Sequence, residues 1–290
     1  MKLYNIMLAA VLFCAAYPAG AQAFEKVRVP TDFSENGNQV FLEMVVFKPF
    51  YAQDGPLPVM VFNHGSTGMG NDPGRFAHVY YDKNIARFFN SRGWVTVFPQ
   101  RRGRGGSDGL YDEGFTKSHT RYSISPARSL KGLERAMDDI DQVVAYLRED
   151  PSIDDGKMLI GGVSRGGILS VAYAGSRPGV FIGTVNFVGG WIGKFPGSGF
   201  YRVFYDYMEK INTVSFRNAA GSGVPTIWLY GENDSFYSID HSRKNFDAFI
   251  EAGGEGTFHQ YFLGKGVNGH LLSMYPRFWN DDLAVFMKQF

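Results

Sequence analysis

The sequence predicts an α/β fold, a mostly parallel sheet with helices covering both faces. Three observations carry that expectation. Short continuous apolar runs recur at residues 58–63 (PVMVFN), 94–99 (WVTVFP), 157–163, 181–188 and 226–230. Runs that are apolar on both sides of the pleat suit strands buried on two faces. Between them lie helical patterns, clearest over residues 129–149, where Leu133, Ala136, Met137, Ile140, Val143, Val144 and Leu147 form one stripe at steps of three and four. Strand and helix also alternate along the chain, as parallel strands with crossover helices require.

The first 23 residues read as an export signal. Lys2 gives a positive start, residues 6–16 form an apolar run, Pro18 breaks it, and Ala21-Gln22-Ala23 is an A-x-A cleavage site. The run is shorter than the roughly 20 residues a stable membrane span needs. The expectation is a signal peptide at 1–23, a secreted or periplasmic protein, and no stable membrane span after cleavage. Cleavage removes Cys14, the only cysteine. The mature chain then has no disulfide and no thiol nucleophile, so acyl-transfer chemistry must use a hydroxyl. Lys2 is the only charged residue before Phe24, and from there 28 basic residues balance 28 acidic ones. That balance lacks the basic stripe that phosphate-backbone binding uses, which argues against nucleic acid as a partner.

Residues 39–48 alternate loosely and predict an early strand. The strand at 58–63 runs into His64-Gly65, and a Gly- and Arg-rich segment follows the strand at 94–99. Asp150-Pro151 ends the long helix. A strand at 157–163, a helix at 166–176, a strand at 181–188, a mixed insertion at 191–223, strands at 226–230 and 257–263, and a last helix from about Pro276 complete the series. No repeat or linker divides it, so residues 24–290 are expected to form one domain.

The motif richest in chemistry is Gly162-Val163-Ser164-Arg165-Gly166, a G-x-S-x-G between a buried strand and a helix. Glycine on either side of the serine suits a sharp turn where backbones approach closely. The helix N-terminus directs N–H groups to where negative charge develops during acyl transfer. A phosphate-binding turn of a dinucleotide fold is the competing interpretation. It expects the glycines in the first strand–helix unit and an acid after the next strand, whereas this motif comes late and the next strand ends in Val188-Gly189-Gly190.

A serine hydroxyl needs a base, and the base needs an orienting group. With this turn the order is serine, acid, histidine. The acid is expected at Asp234, just beyond the strand at 226–230, with Glu232 as the alternative. His259 falls inside a strand and His241 in a surface helix, which leaves His270, after the loop GKGVNG, as the base. Activity should then decline as the histidine protonates, near about 6.5 in a reference peptide. The Arg165 amide and the Ser66 amide are the expected oxyanion donors, and His64 a structural residue of the latter's loop.

Together PVMVFNHGSTG, RGRGGSDG, GVSRGG, LYGENDSF and GVNGHLL resemble the α/β-hydrolase superfamily, in particular its dienelactone-hydrolase-like and prolyl-oligopeptidase-like branches. The resemblance runs from about Pro58 to the C-terminus. It implies the α/β-hydrolase fold, with an eight-stranded, mainly parallel sheet and no cofactor. By position, Ser164, Asp234 and His270 match the family triad. The chain departs from dienelactone hydrolases proper, which carry a cysteine where it has Ser164, so their substrate is not carried over. It has no room for the propeller of prolyl oligopeptidases.

The insertion at 191–223 holds Trp191, Phe195, Phe200, Tyr201, Phe204, Tyr205 and Tyr207, and in this superfamily a small cap is commonly inserted there. Trp191 is the candidate aromatic contact to substrate; the alternative is that these rings pack the insertion onto the sheet. Among Arg101, Arg102 and Arg104, Arg102 is the candidate to pair with a substrate carboxylate; the alternative is a role in loop structure and solvated charge. Asp150, Asp154 and Asp155 lack the spacing of a metal loop and read as turn residues; no metal site is expected. The function expected is hydrolysis of a small-molecule carboxylic ester through an acyl-enzyme. The alternatives are a serine peptidase acting on short peptides and an exported binding protein without chemistry. Oligomeric state is left open.

Overall fold

The computed structural model describes residues 24–51, 54–67, 73–118, 121–193 and 207–290. Eight strands form one sheet: β1 (Glu25–Glu35), β2 (Asn38–Phe47), β3 (Leu57–Asn63), β4 (Val95–Gln100), β5 (Ile153–Val163), β6 (Gly183–Phe187), β7 (Thr226–Gly231) and β8 (Gly256–Tyr261). Their spatial order is β1-β2-β4-β3-β5-β6-β7-β8. The β1–β2 and β2–β4 pairs are antiparallel and every other pair is parallel. This is the α/β-hydrolase fold that the resemblance implies.

The central strands are the most apolar because they are covered on both faces. Val59, Met60, Val61 and Phe62 of β3 and Met158, Leu159 and Ile160 of β5 are fully buried. The covering helices are α1 (Lys83–Asn90), α2 (Pro126–Glu149), α3 (Arg165–Ser176), α4 (Val214–Asn218), α5 (Ile239–Glu251) and α6 (Pro276–Phe286). The predicted stripe of α2 is the face it buries, from Leu133 to Leu147. Pro126 sits in its first turn, where the missing N–H costs nothing.

Two elements escape the pattern of apolar runs. Strand β1 is an edge strand in which only Val29 and Thr31 are buried, and its other positions are mostly charged or polar. Helix α1 is one short apolar cluster (Ile85, Ala86, Phe88, Phe89), started by Asp82, whose side chain accepts from the Asn84 and Ile85 amides. The predicted signal at 1–23 lies outside the described residues, as do residues 194–206 of the expected cap, including Phe195, Phe200, Tyr201, Phe204 and Tyr205. The rest of the insertion contains a π-helical turn (Glu209–Thr213) that runs into α4 and buries Met208, Ile211 and Phe216. No described helix is long and apolar enough to cross a membrane.

Candidate active site

The C-terminal ends of β3, β5 and β7, with the loop after β8, converge on one cleft of about 710 Å³. Parallel strands in open α/β sheets direct their following loops to this edge, where ligands bind.

Ser164 sits at the turn from β5 to α3 with φ 57° and ψ −120°, a left-handed conformation that strains a residue bearing a side chain. Close packing enforces it. A Cβ at Gly162 would lie 2.4 Å from the Gly166 backbone, and one at Gly166 would lie 2.1 Å from the Asn63 carbonyl oxygen. The serine is held over the helix start, where the Arg165 amide has no intrahelical acceptor. The loop after β3 passes against it: a Cβ added to Gly65 would stand 3.2 Å from the Ser164 Cβ. Ser66 lines the same cleft.

Asp234 and His270 meet. The His270 Nδ1 and Asp234 Oδ2 atoms are 2.8 Å apart, and the Asp234 side chain is only 1% exposed. Asp234 Oδ1 accepts from the Phe236 amide at 2.7 Å and the Tyr237 amide at 3.1 Å, so the buried carboxylate is satisfied on both oxygens. The Asn268 side chain accepts from the His270 and Ser235 amides and donates to Ser235 Oγ, joining the two loops. His270 and Ser164 line the same cleft, and the His270 ring packs against those of Phe236 and Tyr237. Glu232 lies apart from this pair and accepts from Gln260.

Three other histidines, His64, His259 and His241, have partners elsewhere. His64 is buried, contacts the Gly65 carbonyl through Nδ1 and receives the Arg101 amide at Nε2. Burial, with Arg101 and Arg104 nearby, holds it well below the ordinary imidazole value, so it is neutral. His259 lies in β8, its ring against Thr257. His241 is in a helix as expected, but on the buried face of α5, not at the surface, where Asn212 and Asn245 meet its Nε2. Asn212 also accepts from the Trp191 and Ile192 amides, which steadies the cleft wall formed by these two residues.

Arg102 requires a correction. It turns away from the cleft, pairs with the buried Asp139 through Nε and its own amide, and lies over the Phe33 ring. Burial pushes the Asp139 carboxyl up to about 6 even against Arg102. The guanidinium is therefore committed beneath α2. Arg104 is the member of the RRGR run that lines the cleft. Its side chain is buried, its Nε has no acceptor among the described residues, and its contact to the Gly65 carbonyl is long at 3.5 Å. It has no carboxylate partner among the described residues, unlike Arg101, Arg102 and Arg165.

Trp191 lines the cleft as expected, buried against the Arg165 guanidinium, with its Nε1–H lacking an acceptor among the described residues. Tyr237 was not singled out by any motif. Its hydroxyl donates to the Gly190 carbonyl at 2.6 Å, and Tyr237 lines the cleft together with Ser164. Burial pushes this phenol well above its ordinary value, so it remains protonated. Asp150 and Asp154 accept from the amides two residues on, as turn residues do.

Comparison with known structures places this geometry in context. Pyrococcus horikoshii acylaminoacyl peptidase aligns with a TM-score of 0.60 and 20% identity over 93% of this chain and 42% of its own. The chain thus spans about two fifths of that protein's length. A Pyrococcus furiosus esterase aligns with a TM-score of 0.63 and 13% identity, covering 92% of this chain and 91% of its own. Est1E from Butyrivibrio proteoclasticus, solved with ferulic acid bound, aligns with a TM-score of 0.62 and 14% identity over 91% of this chain and 98% of its own. No curated protein matches. The model of the dienelactone hydrolase family matches residues 51–262, a span that holds Ser164 and Asp234. The chain belongs to the dienelactone hydrolase family, hydrolases of the α/β-hydrolase fold.

Proposed function

We propose that the protein is a serine esterase that cleaves small carboxylic esters through an acyl-enzyme, with Ser164, His270 and Asp234 as its triad. One observation carries the reading: a buried carboxylate holds the His270 Nδ1 at 2.8 Å, and the ring faces the cleft where Ser164 stands at a strained turn.

In this mechanism the Ser164 hydroxyl attacks the ester carbonyl carbon as its proton passes to His270 Nε2. Asp234 holds the ring in the Nδ1–H tautomer and stabilises the imidazolium that forms. The carbonyl oxygen becomes an oxyanion that accepts from the Ser66 and Arg165 amides. Collapse breaks the bond to the leaving oxygen, which takes the proton from His270. Water then attacks the acyl-enzyme with His270 as base, releasing the acid and restoring Ser164.

The cleft favours esters over short peptides. Rings of Tyr80, Tyr122, Trp191, Phe236 and Tyr237 line it, which suits an aryl or apolar group. Among the described residues the only acidic side chain lining it is Asp82, whose carboxylate already caps α1. A free peptide amine thus meets no available carboxylate. Arg104 takes the substrate-carboxylate role first given to Arg102, because it reaches the cleft and makes no ion pair among the described residues. The same cation supports the second reading, a peptidase that holds a peptide's C-terminal carboxylate. Residues 1–23 serve in this account as an export signal.

A panel of aryl and alkyl esters beside aminoacyl and peptidyl anilides tests the reading. The expected result is ester turnover that Ser164→Ala abolishes. Faster anilide cleavage with the same serine dependence replaces the esterase with the peptidase. Absence of turnover on every substrate leaves the non-catalytic binding protein.

A further inference from the structure

Beneath the cleft lies a buried charge cluster that the mechanism above does not use. Glu113, on the segment between β4 and α2, is 3% exposed. Three arms leave its carboxylate. Arg101 Nε donates to Oε1 at 2.5 Å, and the same guanidinium donates through both terminal nitrogens to the His64 carbonyl at 3.2 and 3.1 Å. The Tyr111 hydroxyl donates to Oε2 at 2.9 Å and lies 2.9 Å from the Tyr122 hydroxyl, which in turn receives the Thr67 amide. Arg165 Nη1 lies 3.5 Å from Oε2 and donates to the Glu113 carbonyl oxygen at 2.9 Å, its guanidinium stacked between Tyr122 and Trp191.

The first two arms grip His64 and Thr67, on either side of Gly65-Ser66, and the third grips the residue after the nucleophile. Burial pushes the Glu113 carboxyl up, but Arg101 and Arg165 outweigh it and hold it below the ordinary carboxylate range. The carboxylate is ionised at neutral pH; it accepts from Arg101 and Tyr111 and faces Arg165 as an ion pair, while the Glu113 backbone carbonyl takes the Arg165 hydrogen bond.

We infer that Glu113 is a positioning residue that sets the spacing of the two oxyanion amides, Ser66 and Arg165, by tying the backbone around Ser66 and the Arg165 side chain to one residue. The inference rests on the proposed acyl-transfer reading of Ser164. An oxyanion donor acts only when its N–H lies at the oxygen's transition-state position, and loss of one such donor costs about 10² to 10³ in kcat. A displaced pair loses part of that.

The test pairs Glu113→Gln with Tyr111→Phe. Glutamine keeps the length, but its NH₂ meets a donor where the carboxylate accepted, so one arm breaks. Tyr111→Phe cuts only the arm to Tyr122 and Thr67 and leaves both ion pairs, which keeps the test informative if the glutamine variant fails to fold. Kinetics on the best ester are measured beside melting temperature and the Ki of a trifluoromethyl ketone, which mimics the tetrahedral oxyanion. The expected result is a fall in kcat of about tenfold or more for Glu113→Gln and a few-fold for Tyr111→Phe. KM should stay within about twofold, and Ki should rise in parallel with the loss of kcat/KM. Lower melting temperature with kcat and Ki of the folded enzyme unchanged assigns these residues to stability alone and overturns the inference. Ser164→Ala run alongside separates the two claims, because turnover persisting in that variant defeats the acyl-enzyme reading itself.

Discussion

Replacing Asp234 by asparagine changes one atom, and the hydrogen-bond geometry decides which way the new amide points. The Oδ1 position accepts two backbone N–H groups, from Phe236 at 2.7 Å and Tyr237 at 3.1 Å. An NH₂ placed there would oppose two donors, leaving buried groups unpaired at about 1–3 kcal/mol each. The asparagine oxygen therefore keeps that place, and its NH₂ faces His270 Nδ1, 2.8 Å from the other site. A donor there makes Nδ1 the acceptor and moves the ring proton to Nε2. The nitrogen that should take the Ser164 proton then has no lone pair free. In the serine-protease template the same exchange leaves geometry intact and lowers kcat about 10⁴-fold, near 5 kcal/mol of barrier at about 1.36 kcal/mol per decade. We expect a loss of that size for Asp234→Asn in steady-state hydrolysis of an aryl ester, with melting temperature little changed because both amide contacts survive. Activity within tenfold of the wild type would refute the claim that this carboxylate sets the tautomer.

Two further outcomes follow from buried charges. Arg104→Met should raise KM for esters bearing a carboxylate several-fold while leaving neutral esters unaffected, and Arg102→Met should not discriminate, since Arg102 is engaged by Asp139; KM ratios for matched acidic and neutral esters decide it. His64 links stability to pH. Its folded value lies well below the unfolded 6.5, so below that pH the unfolded chain takes up a proton that the native chain refuses. Stability should fall on acidification through this window by up to about 1.4 kcal/mol per pH unit from this group, with no contribution above it. Urea midpoints across the window should show a slope shallower by one proton in His64→Gln, and parallel slopes would contradict this.

Much of the fold could be read because buried parallel strands are written as unbroken apolar runs, and the G-x-S-x-G turn stands between one such run and a helix. The Asp234–His270 contact was legible for a related reason: both residues follow strands, and loops after parallel strands share one edge. The arginine run was harder, since Arg101, Arg102 and Arg104 carry the same chemistry within four residues. What sorts them is the turn at Gly103 and Gly105, with φ of 74° and 56°, which sends Arg102 under α2 and Arg104 into the cleft. No local pattern encodes that path. His241 was misplaced because the inward face of α5 is set by partners far along the chain, Asn212 among them. Glu113 sits in a polar stretch and bears no motif; besides the neighbouring Tyr111, its donors Arg101 and Arg165 come from other strand ends and give it meaning.

A single labelling experiment bears on the centre of the account. The protein is treated with a fluorophosphonate, digested, and the modified residue located by mass spectrometry, with Ser164→Ala and His270→Ala in parallel. The account predicts one phosphonyl group on Ser164, none in the alanine variant at that position, and labelling slowed at least a thousandfold without the imidazole, on the order of the template's triad deletions. Label on a different residue, or undiminished reaction when His270 is gone, would contradict it.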